Sequence, residues 1–215
     1  MSQDYSLYFV ADAEYAAGFD LVPIIEKAIE GGVTAVQLRG KTLPFRVFLD
    51  LGLRTAAVLE GRGVPLLVND RVDIALACGA AGVHLGQEDM PLAQARKLLG
   101  KGRIIGVSVN TLEEALEAEA QGADYVGLGP VYATSTKTTG LPVLGPEGIR
   151  RIKSYLRLPV IAIGGISEAN AGKVMAAGAE GIAVVSAILG AADTERAARS
   201  LRKAIDSTKQ ESQQR

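Results

Sequence analysis

Eight short apolar runs recur along the chain: "SLYFVA", "TAVQLR", "PLLVN", "AGVHLG", "RIIGVS", "DYVGLG", "PVIAIG" and "EGIAVV". Each is bounded by Gly, Pro or polar residues, and each is short enough to be a strand buried on both faces. Between them the apolar spacing is helical. "TLEEALEAEAQG" opens with Thr111 and Glu114 at capping-box spacing and ends on Gly122. "SEANAGKVMAAG" starts with Ser167 as an N-cap and stops at Gly178. A glycine precedes a strand at Gly32, Gly79, Gly122 and Gly178, with an aliphatic residue four positions on (Val36, Val83, Val126, Ile182). Eight alternating units predict an α/β chain folded as one (β/α)8 TIM barrel domain over 1–206. An open doubly wound sheet is the alternative. The polar end, "STKQESQQR", predicts a disordered tail over 207–215.

Composition narrows the class. The 215 residues are 48% hydrophobic, enough for a sizeable core, and the formal net charge is −1. There is no basic field for nucleic acid or an anionic membrane, so a bound phosphate needs local groups. One cysteine, Cys78, excludes an internal disulfide framework. No apolar run approaches the ~20 residues of a membrane span, and "MSQDYSLYF" lacks the pattern of a signal peptide. A soluble cytoplasmic protein is expected. A homo-oligomer is compatible with the sequence, which does not set the number of subunits.

In a barrel, chemistry gathers at the C-terminal ends of the strands. After the second strand comes "QLRGK". Gln37 and Arg39 share one face, with Val36 and Leu38 on the other. Arg39 and Lys41 suit a diphosphate, the first as a planar fork and the second as a point charge. A solvated basic turn is the plainer alternative. After the third and fourth strands come Asp70 and Asp89. Two isolated carboxylates on adjacent strand ends suit Mg²⁺, which takes hard oxygen ligands and is often held by one or two carboxylates plus substrate phosphate. Each also has the spacing of a helix cap. His84, the only histidine, reads as a hydrogen-bonded core residue. No second His or Cys makes a zinc site, and no Ser–His–Asp set stands out. Ser108 ends the fifth strand. "GPVYATSTKTTG" crowds small hydroxyls around Lys137 after the sixth. Gly165 follows the seventh, and Val185 and Ser186 open the last helix, where an anion is favoured. The rim thus has provision for two phosphate groups.

Taken in order, "QLRGK", "NDR", "HLGQED", "GVS", "GPVYATSTK", "IGGI" and "VVSAI" resemble the thiamine phosphate synthase family from about Tyr8 to Ile188. The resemblance implies a transferase of thiamine biosynthesis on a (β/α)8 barrel. It joins a hydroxymethylpyrimidine diphosphate to a thiazole phosphate and releases pyrophosphate, with Mg²⁺ as cofactor. It implies that Gln37, Leu38, Arg39, Gly40, Lys41 and Asn69 line the pyrimidine diphosphate site. Ser108 and Lys137 contact the same substrate. Asp70 and Asp89 bind Mg²⁺. Thr134, Ser135, Thr136, Gly165, Val185 and Ser186 hold the thiazole phosphate. Catalysis then rests on Arg39, Lys41, Lys137 and Ser108. The reaction it implies is dissociative, which needs charge stabilisation and exclusion of water more than acid–base groups. The Gly/Thr-rich loop 134–140 reads as a lid.

Two positions depart from the family pattern. Gly40 stands where an acidic residue is usual, and "VADAEY" replaces an expected Thr-Asp pair, so the first strand end receives no role. Three rivals remain. A thiazole tautomerase would need a histidine near Pro130. A non-catalytic phosphate-binding regulatory barrel would not need both aspartates and all three cations. A phosphosugar enzyme would leave the aspartate pair unexplained.

Overall fold

The computed structural model describes residues 3–134 and 140–213. Among them, strands and helices alternate as β1 (Leu7–Asp12), α1 (Leu21–Glu30), β2 (Ala35–Arg39), α2 (Phe45–Leu59), β3 (Leu66–Asn69), α3 (Val72–Ala77), β4 (Gly82–Leu85) and α4 (Leu92–Leu99). The second half continues as β5 (Ile104–Val109), α5 (Leu112–Ala120), β6 (Tyr125–Leu128), α6 (Gly145–Lys153), β7 (Val160–Ile163), α7 (Glu168–Ala176), β8 (Gly181–Val184), α8 (Ser186–Leu189) and α9 (Thr194–Gln213). Every strand pairs in parallel with its sequence neighbours, and β8 pairs with β1, so the sheet closes. The barrel expectation holds and the open sheet falls. Each of the eight apolar runs contributes one strand.

The period of two along each strand sorts its side chains into two cores. Val36, Leu38, Val68, Val83 and Val126 point outward and pack beneath the helices. Tyr8, Val10, Ala35, Leu67, Tyr125, Ile161 and Ala183 point inward and fill the barrel. Above that filling, the inward positions turn polar.

The four repeat glycines have one conformational cause. Gly32, Gly79, Gly122 and Gly178 have φ of +102°, +70°, +86° and +101°. Each ends a helix in the left-handed region that glycine enters at no steric cost, and so returns the chain to the next strand. Thr111 accepts from the Glu114 N–H, and Ser167 forms a capping box with Asn170.

The end of the chain differs from expectation. The helix that opens at Ser186 is the four-residue α8, and α9 follows it. The polar segment from Ser207, expected to leave the fold, is helical as far as Gln213. Ala198, Leu201 and Ile205 give α9 a buried stripe. Lys209 donates to the Ser6 hydroxyl, which ties the helix to the start of β1. Among the described residues, no helix is long and apolar enough to cross a membrane.

α9 packs against α1 and α7. Its approach to α1 depends on Gly31, where a Cβ would lie 2.4 Å from the Glu195 carbonyl oxygen and 2.6 Å from the Ala198 Cβ. Gly31 has φ −79°, which alanine adopts freely, so only packing opposes a side chain there. Gly31→Ala is expected to cost about 1–3 kcal/mol, the usual range for overpacking, while leaving the catalytic end untouched. A thermal melt identical to wild type would show that α9 is not seated by this contact.

Candidate active site

A cavity of about 470 Å³ opens at the C-terminal ends of the strands. That volume is within the ~300–1,000 Å³ usual for ligand pockets. Gln37, Arg39, Asn69, Ser108, Thr134, Gly165, Val185 and Ser186 all line it. These residues come from six loops and strand ends, and barrel closure brings them to one mouth. Leu38 and Gly40 are not among the lining residues. Leu38 is fully buried beneath the helices, as strand alternation requires. Gly40 faces Leu43, whose Cδ1 would lie 2.8 Å from an added Cβ. Ser135, Thr136 and Lys137 lie outside the described residues.

Arg39 is the most constrained cation at the mouth. Its Nη1 donates to Asp12 and, at 3.2 Å, to Glu14. Its Nε and Nη2 take no partner among the described residues, so part of the fork remains for an anion. Asp12 also accepts the Tyr15 N–H at 2.9 Å. Glu14 accepts the Thr42 N–H at 2.8 Å and its hydroxyl at 3.0 Å. Burial opposes the ionisation of Glu14, but the two Thr42 bonds and the Arg39 charge hold it below the usual carboxylate range. No role was expected at this strand end. The signal was there in "DAE", two carboxylates directly after an apolar run. Asn110 and Gln87 were also missed. Asn110 lines the cavity and donates to the Gly129 carbonyl. Gln87 donates to the Ser108 carbonyl at 2.6 Å.

Asp70, Asp89 and Lys41 form a second cluster, joined to the cavity through Asn69. The helix-cap alternative fails for both aspartates. Arg71 stands at the α3 N-cap and Pro91 at the α4 N-cap, neither with a side-chain bond. Asp70 instead has φ +61°, a left-handed conformation uncommon outside glycine and costly unless the surroundings enforce it. Lys41 Nζ lies 2.9 Å from Asp70 Oδ2. Asp89 accepts the Gly86 N–H at 2.6 Å, which closes the "GQED" turn.

The two carboxyl groups face each other. Burial pushes Asp70 above the usual carboxylate range, and the bond to Asp89 adds to it. Burial opposes ionisation of Asp89 too, but the Asp70 bond, the Gly86 N–H and the Lys41 charge bring it below. Two carboxyl groups facing each other at this depth mark a place where positive charge is favoured. A hard divalent cation meets that need, so the donor set fits Mg²⁺. Among the described residues no group of three or more His, Cys, Asp or Glu gathers as a metal site.

His84 lies on the cavity floor, 8% exposed, bonded to Tyr125 and Ser108. On the opposite wall, Gly164 and Gly165 have φ +103° and +62°. A Cβ on Gly165 would lie 2.4 Å from the Ala133 carbonyl oxygen and 2.8 Å from the Tyr132 Cβ. Its missing side chain thus seats the loop that carries Thr134.

A family model described as thiamine monophosphate synthase matches residues 7–188. The chain belongs to the thiamine monophosphate synthase family. A thiamine-phosphate synthase of Chloroflexus aurantiacus is 48% identical over 207 residues, covering 96% of this chain and 95% of the relative. One of Clostridium acetobutylicum is 50% identical over 188 residues, covering 87% of this chain and 89% of the relative. The solved structure of thiamine phosphate pyrophosphorylase from Pyrococcus furiosus superposes with a TM-score of 0.88 at 41% identity, covering 96% of this chain and 98% of that one.

In this family member, Gly165→Ala is expected to displace the 130–133 loop. Gly61 is the control, because it has φ +74° but nothing within 4 Å of an added Cβ. Gly61→Ala carries only the left-handed strain, ~1 kcal/mol. Gly165→Ala should cost about 1–3 kcal/mol more, since the loop must also move. Equal unfolding free energies for the two variants in urea would refute the packing role.

Proposed function

We propose that the chain joins a hydroxymethylpyrimidine diphosphate to a thiazole phosphate, giving thiamine phosphate and pyrophosphate. The observation that carries this is the pairing of two anion-receiving regions on one rim. One combines Arg39 and Lys41 with the facing carboxylates of Asp70 and Asp89. The other is the wall of Thr134, Gly165, Val185 and Ser186. A phosphosugar enzyme needs only one of these. The structure of a 3-hexulose-6-phosphate synthase, at 23% identity and TM-score 0.69, shares the fold alone. The tautomerase reading lacks its histidine, since His84 is the chain's only one and belongs to β4.

On this reading the pyrimidine ring rests on Gln37, Asn69 and Ser108. Its diphosphate extends toward Arg39 and Lys41. The C–O bond to the diphosphate breaks, both electrons leave with pyrophosphate, and the pyrimidine is left as a stabilised cation. The thiazole nitrogen then donates its lone pair to that carbon. No proton moves in either step, so the reaction needs no acid–base dyad. Arg39 is fixed beforehand by Asp12 and Glu14, so little reorganisation is needed as negative charge grows on the leaving group. Lys41 would add charge at the same place, and Lys137, outside the described residues, is expected to act with it. The inward apolar residues below, Tyr8 and Ile163 among them, line the cavity and keep water from the cation. Asp70 and Asp89 are the residues that would hold Mg²⁺, which when bound neutralises diphosphate charge. A cytoplasmic location suits such soluble phosphorylated substrates.

The test is direct. The purified protein is mixed with the two phosphates and Mg²⁺, and the product is weighed by mass spectrometry. Thiamine phosphate with stoichiometric pyrophosphate supports the proposal, and its absence refutes it.

Asp70→Asn and Asp89→Asn are each expected to remove most turnover and leave the melt near wild type, because neither residue caps a helix. Full turnover at saturating Mg²⁺ in both would sink the metal assignment. Lys137→Ala is expected to lower kcat roughly 10²-fold, as for loss of one electrostatic donor, with a stability change under ~0.5 kcal/mol. A wild-type kcat would leave Lys137 without a catalytic part.

A further inference from the structure

A chain of hydrogen bonds crosses the barrel beneath the cavity. Gln37 Nε2 donates to the Tyr8 hydroxyl at 3.0 Å. The Tyr8 and Tyr125 hydroxyls are 2.8 Å apart. Tyr125 is 2.8 Å from His84 Nδ1, and His84 Nε2 is 2.8 Å from the Ser108 hydroxyl. The two ends, Gln37 on β2 and Ser108 on β5, both line the cavity. None of the three middle residues is given a hydrogen-bonding part in the reaction above.

We propose that Tyr8, Tyr125 and His84 are positioning residues that lock the hydrogen-bond polarity of Gln37 to that of Ser108, so that the cavity floor presents the Gln37 carbonyl as acceptor and the Ser108 hydroxyl as donor. This rests on the proposed function and names what aligns the aminopyrimidine ring within it.

Each proton can be placed in turn along the chain. A hydroxyl has one hydrogen to give. Tyr8 accepts from the Gln37 amide, so its own hydrogen goes to Tyr125. Tyr125 then gives its hydrogen to His84 Nδ1. A neutral imidazole that accepts at Nδ1 carries its hydrogen on Nε2. Nε2 therefore donates to Ser108, whose hydrogen turns away from the ring. In the opposite sense, Ser108 donates to His84, His84 to Tyr125 and Tyr125 to Tyr8. Tyr8 would then hold a hydrogen with no acceptor among the described residues, deep in the barrel, and an unmade buried bond is costly. Only rotation of the Gln37 amide would relieve it. The five groups thus switch together or not at all.

The barrel is built to admit this chain. The register places Gly106 of β5 between His84 of β4 and Tyr125 of β6. A Cβ on Gly106 would lie 2.0 Å from Tyr125 Cζ, so the two rings meet only because that strand position is bare. Gly127, on β6, is equally bare beneath His84, with Cε1 at 2.9 Å from an added Cβ. Neither glycine has positive φ, so conformation does not require them. Tyr8 and Tyr125 are each 1% exposed. Burial raises both phenols well above their usual range, and they remain donors at any working pH.

His84 is the only histidine, so its tautomer can be read from one ¹⁵N imidazole signal pair in the intact protein. The expected result at a pH where the ring is neutral is the Nε2–H tautomer, with mixing of the two tautomers in Tyr125→Phe. A dominant Nδ1–H tautomer in wild type overturns the proposal, whether or not the protein turns over substrate. Steady-state kinetics supply the second test. Tyr8→Phe and Tyr125→Phe each keep the ring and remove one link. Each should lower kcat/KM for the pyrimidine diphosphate about tenfold, on the scale of one lost hydrogen bond, and leave KM for the thiazole phosphate unchanged. In a Ser108→Ala background the same substitutions should add no further loss. Additive losses there, or parallel changes in both KM values, would mark a merely structural network. A wild type that makes no thiamine phosphate refutes the proposed function, while the tautomer measurement still decides the network.

Discussion

Eight parallel strands that close on one another send every second side chain toward one axis, where space is limited. That limit decides what the site can be. The lower axis is filled by Tyr8, Leu67, Tyr125, Ile161 and Ala183. The Tyr125 ring fits there only because the neighbouring strand β5 carries glycine at 106, where a Cβ would lie 2.0 Å from its Cζ. The filling in turn forms the floor on which Gln37, Asn69, His84 and Ser108 stand. Polar groups at that depth need partners: Gln37 finds Tyr8, and His84 finds Tyr125 and Ser108. Closure therefore produces both a dry base and an organised polar layer above it.

The loops contribute what the axis cannot. Outward strand positions tie each strand to its helices, and the glycines at helix ends return the chain in a fixed sense. Residues two and four positions apart on a strand then arrive at the mouth at known heights. Gln37 and Arg39 do so from β2, while Asp12 arrives from β1 at the level of Arg39. This is why an arginine and an aspartate 27 residues apart meet without a dedicated loop.

Much of this was legible in the sequence for physical reasons. Strands buried on both faces read as short apolar runs, and strand alternation alone separates Gln37 and Arg39 from Leu38. Where the same alternation was set aside, and Leu38 was carried into the site with its neighbours, the structure restores it to the outer core. Other features were hidden because they depend on partners distant in the chain. "DAE" after β1 looks like a solvated turn until Arg39 is placed beside it. Tyr8 and Tyr125 read as ordinary apolar strand residues, since only closure brings their hydroxyls together. Asp70 and Asp89 have cap spacing in one dimension, and the left-handed turn at Asp70 leaves no mark in a single sequence. The α9 segment beyond Ser207 is polar enough to resemble a tail, yet its Lys209 finds Ser6, some 203 residues earlier.

The two cations at the mouth are held in different ways, and the difference bears on their work. Arg39 sits between Asp12 and Glu14 with its side chain 21% exposed. Two carboxylates and partial burial fix its position, so it presents the rest of its fork without searching. Among the described residues Lys41 forms one ion pair, with Asp70, and its side chain is 46% exposed. A pair that open to water contributes no more than about 1 kcal/mol, so it breaks at little cost. Lys41 can therefore leave Asp70 when a stronger anion enters, and Asp70 is released at the same moment beside Asp89. On the proposed reading, a rigid guanidinium and an exchangeable ammonium would suit one diphosphate better than two rigid cations. One would set where the anion sits, and the other would respond to its arrival.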